Sequence, residues 1–207
     1  IFFVVARGGT YTITDRTPAT PVTPVAPSKP ADKPDETKPT ETTYPDVQPT
    51  DWYYEAVEAV TEKGLMSGTD NGFEPNLATS RAMIWTVLAR MDGKTVSGSG
   101  SEWYAAAQSW ASENGVSDGS DPNGRITREQ FAAMLYRYAL RQGRAGADAA
   151  ANFAGFADVE SVSDWARDAM RWAVSSGIIN GIDGRLCPQG EATRAQIATM
   201  LQRYLEK

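Results

Sequence analysis

Ala192-Thr193-Arg194-Ala195-Gln196-Ile197-Ala198-Thr199-Met200-Leu201 decides how this chain folds, because it is one of three copies of a related motif. Thr193 and Gln196 stand at the spacing of a capping box, in which a hydroxyl and an amide reciprocally satisfy the first amides of a helix. Ile197, Leu201 and Tyr204 then recur at helical spacing. The other copies read Thr79-Ser80-Arg81-Ala82-Met83 and Ile126-Thr127-Arg128-Glu129-Gln130. Upstream of each lies a tryptophan (Trp52, Trp103, Trp165), preceded by a Ser or Thr and an acid. A glycine follows each Trp after twelve residues (Gly64, Gly115, Gly177) and another after sixteen (Gly68, Gly119, Gly181). A second arginine lies nine residues beyond each copy (Arg90, Arg137, Arg203). A unit of roughly 50 residues repeated in this way cannot bury both faces of its helices alone, so the three are expected to pack together.

Within each unit the signals predict two helices and a short loop. Thr50-Asp51, Ser101-Glu102 and Ser163-Asp164 read as a hydroxyl N-cap followed by a first-turn acid. Trp52, Ala56 and Val60, and likewise Trp165, Ala169, Trp172 and Ala173, form an apolar stripe. Gly64, Gly115 and Gly177 suit a left-handed helix stop. In the loops Gly68–Pro75 and Gly181–Pro188, the apolar residue two before the proline is expected to plug the core. The middle unit has a shorter loop and no such plug. Trp85, Trp110 and Trp172 are read as packing.

Before the units the text changes. Residues 17–43 are a Pro/Thr-rich linker, extended in the polyproline sense and spanning up to about 80 Å. Residues 1–16, with alternation in Thr10-Tyr11-Thr12-Ile13-Thr14, are read as the end of an upstream β domain. The units are bounded at 44–97, 98–147 and 148–207. The fold class is therefore mainly α: three helical repeats behind a linker and a short β remnant.

Composition narrows the function. A net charge of −6 argues against a partner held by phosphate contacts, so no nucleic acid is expected. The absence of histidine removes His-based triads and most zinc sites, and no metal or cofactor is expected. The single Cys187 cannot form an internal disulfide. No apolar run approaches a membrane span, so no membrane insertion is expected.

The arginines carry the chemical question. A cation in the first helical turn faces the positive end of the macrodipole, a cost of a few tenths of a kcal/mol. Arg81, Arg128 and Arg194 all accept it. One compensation is an acid from a neighbouring unit, with Asp46 and Asp158 as candidates. The other is an anionic ligand, held by the arginine and the helix-start amides. The residue pattern leaves both open. Arg90, Arg137 and Arg203 are read as structural. Trp52, Trp103 and Trp165 read as core by spacing, with a sugar-stacking face as the alternative. Gly68, Gly119 and Gly181 are turn glycines that would also let a ligand approach the backbone. An acid pair such as Asp70 and Glu74 could serve a glycosidase, but nothing sets it beside an aromatic cleft, so no catalytic residue is assigned.

Tyr44-Pro45-Asp46-Val47, Phe156-Ala157-Asp158-Val159, the tryptophan, the paired glycines and the Thr-Arg motif together resemble the S-layer homology domain over residues 44–207. The resemblance implies a pseudo-threefold spindle with grooves between units. It further implies noncovalent anchoring, outside the cell, to the secondary cell wall polysaccharide of bacteria, often through pyruvylated N-acetylmannosamine. The ligand-binding candidates are then Arg81, Arg128, Arg194, Trp52, Trp103, Trp165, Gly68, Gly119, Gly181, Gln130 and Gln196. The chain departs from the family motif where Met83, Gln130 and Gln196 replace its glutamate, and where the middle unit lacks the Asp-Val lead-in. The alternative partner is protein, in a helical scaffold or in S-layer self-assembly.

Overall fold

The computed structural model describes residues 43–96, 98, 100–145, 153 and 155–207. The expected β remnant and nearly all of the linker lie outside them. The described residues hold six α-helices: α1 (Tyr54–Glu62), α2 (Arg81–Met91), α3 (Ala105–Glu113), α4 (Arg128–Arg141), α5 (Arg167–Ser175) and α6 (Arg194–Leu205). The chain is mainly α, two helices to a unit, as the repeats predict. No helix among them is long and apolar enough to cross a membrane.

The helices pair between units. α2 of the first unit packs on α3 of the second, α4 on α5 of the third, and α6 returns to pack on α1. The contacts therefore close into a ring. A hydrogen-bonded triangle at the start of the second helices ties the same ring together. Thr79 N–H donates to Ala192 O, Ala192 N–H to Ile126 O, and Ile126 N–H to Thr79 O, all at 2.9–3.0 Å. Three β-bridges, Ala78 with Thr193, Ser80 with Arg125 and Thr127 with Glu191, flank these bonds.

The second helices start where the sequence says. Thr127 and Thr193 form complete capping boxes with Gln130 and Gln196, and Ser80 accepts from Met83 N–H. The first helices do not. They begin at Tyr54, Ala105 and Arg167, two residues after each tryptophan, and none has a side-chain cap. The tryptophans ride on the turn before the helix, preceded in the second unit and contained in the third by a 3₁₀ turn (Gly100–Glu102, Asp164–Ala166). Trp52, Trp103 and Trp165 are thus outside the core, at 43%, 36% and 57% exposure, which overturns the reading of all three as core residues and of Trp52 and Trp165 as members of an apolar stripe. The physical reason is that helical spacing continues on paper through a turn whose backbone has already left the helix.

The stops behave as expected. Gly64, Gly115 and Gly177 have φ of 65–66°. Past each, an N–H reaches back five residues (Leu65 to Val60 O, Val116 to Ala111 O, Ile178 to Ala173 O), the Schellman closure that a left-handed residue permits. Phe73 and Leu186 are wholly buried plugs, and Trp85, Trp110 and Trp172 are core residues.

Candidate functional site

The helix-start arginines are drawn into the protein. Arg128 and Arg194 are 5% and 7% exposed, while the Arg81 side chain keeps 13%. Each reaches the loop of the following unit, cyclically. Arg194 donates from Nε to Phe73 O (2.7 Å) and from Nη2 to Ser67 O (2.6 Å), with its guanidinium 4.5 Å over the Phe73 ring. Arg128 donates from Nε to Leu186 O (2.8 Å). Arg81 donates from Nε to Ser120 O (2.8 Å) and from Nη2 to Asp118 Oδ1 (2.7 Å) and Ser117 Oγ (3.2 Å).

The expected acids act one step removed. Asp46 accepts from Phe73 and Glu74 N–H at 2.8 and 2.7 Å, and Asp158 from Leu186 and Cys187 N–H at 2.7 and 2.8 Å. Each carboxylate pins the peptide whose carbonyl the arginine grips. No carboxylate among the described residues comes within ion-pair reach of Arg128 or Arg194. Burial accordingly pushes both guanidinium pKa values below their ordinary value, with Asp158, Glu74 and Asp46 opposing it at longer range.

The helix-start amides are already used. Arg81, Arg128 and Arg194 N–H donate to Gly124, Gly190 and Leu77 O, and the next residues to Pro122, Pro188 and Pro75 O, at 2.9–3.0 Å. The third amide goes to the N-cap hydroxyl. An anion at these helix starts would therefore meet side chains, not free amides.

One groove gathers residues from all three units. Arg81 of the first, Ser117, Asp118, Gln130 and Arg137 of the second, and Trp165 of the third line a cavity of about 270 Å³. Gln130 spends Oε1 on the capping box (3.1 Å to Thr127 N–H), which leaves its Nε2 for a ligand. By register, Arg128 falls with Gln196 and Trp52, and Arg194 with Met83 and Trp103. The paired glycines have a packing reason. A Cβ at Gly68 or Gly181 would run into the rings of Tyr44 or Phe156, and one at Gly119 into Ser112 Oγ. Arg90, Arg137 and Arg203 donate to Leu65, Val116 and Ile178 O at 3.0–3.3 Å, holding the end of the first helix in their own unit. Asp70 lies in the exposed Thr69–Gly72 turn, and Glu74 accepts from Thr69 Oγ1.

Glu129 escaped the sequence reading. It is 1% exposed, accepting from Ser163 N–H (3.0 Å), Ser163 Oγ (2.8 Å) and Gln189 Nε2 (2.7 Å). It thereby holds the turn that presents Trp165. An acid in a first helical turn reads as dipole compensation, and only the absence of an acid at Ala82 and Ala195 marked it out. Asp118 escaped as well, for want of any motif.

Residues 43–82 and 155–198 match the S-layer homology domain, so both matches lie on the first and third units. The chain is 31% identical over 186 residues to an amylopullulanase of Thermoanaerobacterium thermosulfurigenes, with 81% of this chain and 10% of that protein covered. It is 28% identical over 184 residues to the exoglucanase XynX of Acetivibrio thermocellus, covering 80% and 16%. With the S-layer protein sap of Bacillus anthracis it shares 29% identity over 173 residues, covering 77% and 21%. The chain thus spans a tenth to about a fifth of the length of these relatives.

Proposed function

We propose that this chain is a noncovalent anchor that acts at the bacterial cell surface, holding secondary cell wall polysaccharide in grooves between its units. The observation that carries the reading is the groove that exposed Trp165 lines together with Arg81 and Gln130: an aromatic side chain, a cation and an amide, each from a different unit. An indole face suits the apolar face of a pyranose, and a guanidinium suits a carboxylate on that sugar. A carboxylate on the ligand, as a pyruvylated sugar carries, would meet Arg81 and Arg137, the two cations that line this groove. The relatives argue against catalysis in this segment. Two are named as enzymes and one as an S-layer protein, and a segment common to both kinds supports an accessory role for it. Three weak grooves on one polymer would also bind more tightly than one.

The test is sedimentation of the purified chain with cell-wall sacculi, before and after acid extraction of the secondary polymers. Binding that disappears with the polymer is expected. Binding that survives extraction, or no binding by a folded protein, would point to protein partners instead.

A further inference from the structure

The middle unit lacks a ring that the other two share. In the first unit Tyr44 covers Gly68: its Oη accepts from Gly68 N–H at 3.0 Å and from Thr61 Oγ1 at 3.4 Å, and a Cβ on Gly68 would run into the ring. In the third unit Phe156 stands over Gly181 in the same way. The second unit is led in by Lys94-Thr95-Val96-Ser97-Gly98-Ser99-Gly100-Ser101-Glu102, which contains no aromatic residue. A Cβ on Gly119 would meet Ser112 Oγ and Gln108 instead of a ring. Ser112 Oγ donates to Gln108 O (3.0 Å), and Gln108 Nε2 donates to Gly119 O (2.7 Å). Beside Gly119 lies a cavity of about 370 Å³, lined by Gln108, Ser109, Ser112, Glu113, Asp118 and Gly119. Ser112 and Gly119 are the register equivalents of Thr61 and Gly68, the pair that Tyr44 covers. Asp118 also lines the groove of Arg81 and Trp165, so the cleft continues that groove.

We propose that this cleft is a second subsite, which takes an uncharged sugar residue next to the one held by Arg81, Gln130 and Trp165. The inference rests on the groove-binding reading above and deepens it. The cleft is rich in acceptors: Gln108 has spent Nε2 on Gly119 O and keeps Oε1, and Glu113 and Asp118 bring carboxylates. Sugar hydroxyls are donors, and their bonds to carboxylates are of the stronger, charge-assisted kind. A residue carrying its own carboxylate would face Glu113 and Asp118, and like charges so placed repel. The cations Arg81 and Arg137 line the groove and not the cleft, so charge sorts the two residues of the ligand. With no aromatic platform in the cleft, its contribution comes from hydrogen bonds and shape, and it acts as an extension of the groove rather than a site by itself.

Isothermal titration of the full chain tests the assignment with three probes. They are the methyl glycoside of pyruvylated N-acetylmannosamine, that sugar linked in either order to an uncharged N-acetylhexosamine, and that sugar linked to a second pyruvylated residue. The wild type is expected to bind the mixed disaccharide about tenfold more tightly than the glycoside, and the doubly pyruvylated one no more tightly than the glycoside. Ser109 is exposed on α3, and Ser109→Trp puts a ring back into the cleft. It is expected to abolish the tenfold gain and leave glycoside binding unchanged. Glu113→Ala, which adds no bulk, is expected to remove most of the same gain. A mixed disaccharide that binds no more tightly than the glycoside overturns the subsite and leaves the groove reading standing. So does a gain that survives both substitutions. An equal gain for the doubly pyruvylated sugar overturns the choice of an uncharged residue. If no probe binds the wild type, the groove reading itself fails and the subsite with it.

Discussion

A buried guanidinium must find partners for donors it has taken out of water, or its burial costs several kcal/mol. Arg194 finds Phe73 O, Ser67 O and the face of Phe73, and in doing so ties the last unit to the first. Arg194→Ala should therefore cost about 2–4 kcal/mol, because two charge-assisted bonds are lost and two loop carbonyls are left unmet. A fall in Tm of roughly 5–15 °C is the expected reading, with Arg194→Lys recovering only part of it. An unchanged melt would make the clasp incidental. At Trp85 the balance differs. The ring is wholly buried but its Nε1 has no hydrogen-bond partner, and the register-equivalent residues are Ala132 and Ala198. Trp85→Ala should cost about 3–5 kcal/mol through the cavity, and Trp85→Phe only about 1 kcal/mol, since lost contacts are offset by removal of an orphaned donor. Chemical denaturation checks both. What the residues announced and what they withheld follow from this chemistry. An arginine in the wrong turn, three times over, declared that it had a partner. For Arg128 and Arg194 the partner proved to be backbone carbonyl, which every residue carries and no residue type advertises, and for Arg81 a carbonyl together with Asp118, an acid of the next unit that stands in no motif. The acids Asp46 and Asp158 were legible only as lead-in residues, not as the pins of that backbone.

At the scale of elements, capping separates what was legible from what was not. A capping box needs two side chains three residues apart, so Thr127 with Gln130 and Thr193 with Gln196 could be read directly. The first helices have no side-chain cap, and Ser163, expected to provide one, gives its hydroxyl to Glu129. Competition from a partner in another unit cannot be seen in local text. The same holds for Asp92, at the C-terminal end of α2. Its carboxylate accepts from Trp110 Nε1 on α3 at 3.0 Å, and from Arg141 Nη1 and Gln142 Nε2 at the end of α4 at 3.1 and 2.7 Å. Burial works to raise its pKa, and the Trp110 and Arg141 bonds overcome that and leave it below the ordinary value. A carboxyl depressed in the native state stabilises it above the unfolded pKa of about 3.9 and loses that contribution as pH falls through the native value. Wild-type Tm should thus decline below about pH 4, and Asp92→Asn, less stable at pH 7, should decline less steeply over the same interval. Parallel melting curves for the two proteins from pH 7 to pH 3 would remove Asp92 from the account.

For the whole molecule the decisive fact is closure. In an open helical array each unit touches only its neighbours, and a terminal unit can be lost with the remainder intact. Here α1 has its helix partner in α6, at the other end of the units, and the triangle of Thr79, Ile126 and Ala192 has no end to remove. The sequence displayed three copies but not whether they formed a row or a ring, since both would use the same amphipathic faces. Closure makes a sharp expectation. A fragment of residues 43–145 keeps both of its units' capping signals, yet strips α1 of α6, α4 of α5 and the first unit's loop of Arg194. Val57, Val60, Met134 and Leu135, buried in the intact chain, sit on those orphaned helices, at about 25 cal/mol for each Å² of apolar surface returned to water. A domain whose whole stability is 5–15 kcal/mol does not withstand such a loss. The fragment should retain some helix by far-UV circular dichroism, bind a hydrophobic dye and melt without a cooperative transition. The full chain should instead show coincident transitions by circular dichroism and tryptophan fluorescence. A fragment that melts sharply would mean that two units can fold in a row, and that the ring stabilises the grooves rather than the fold.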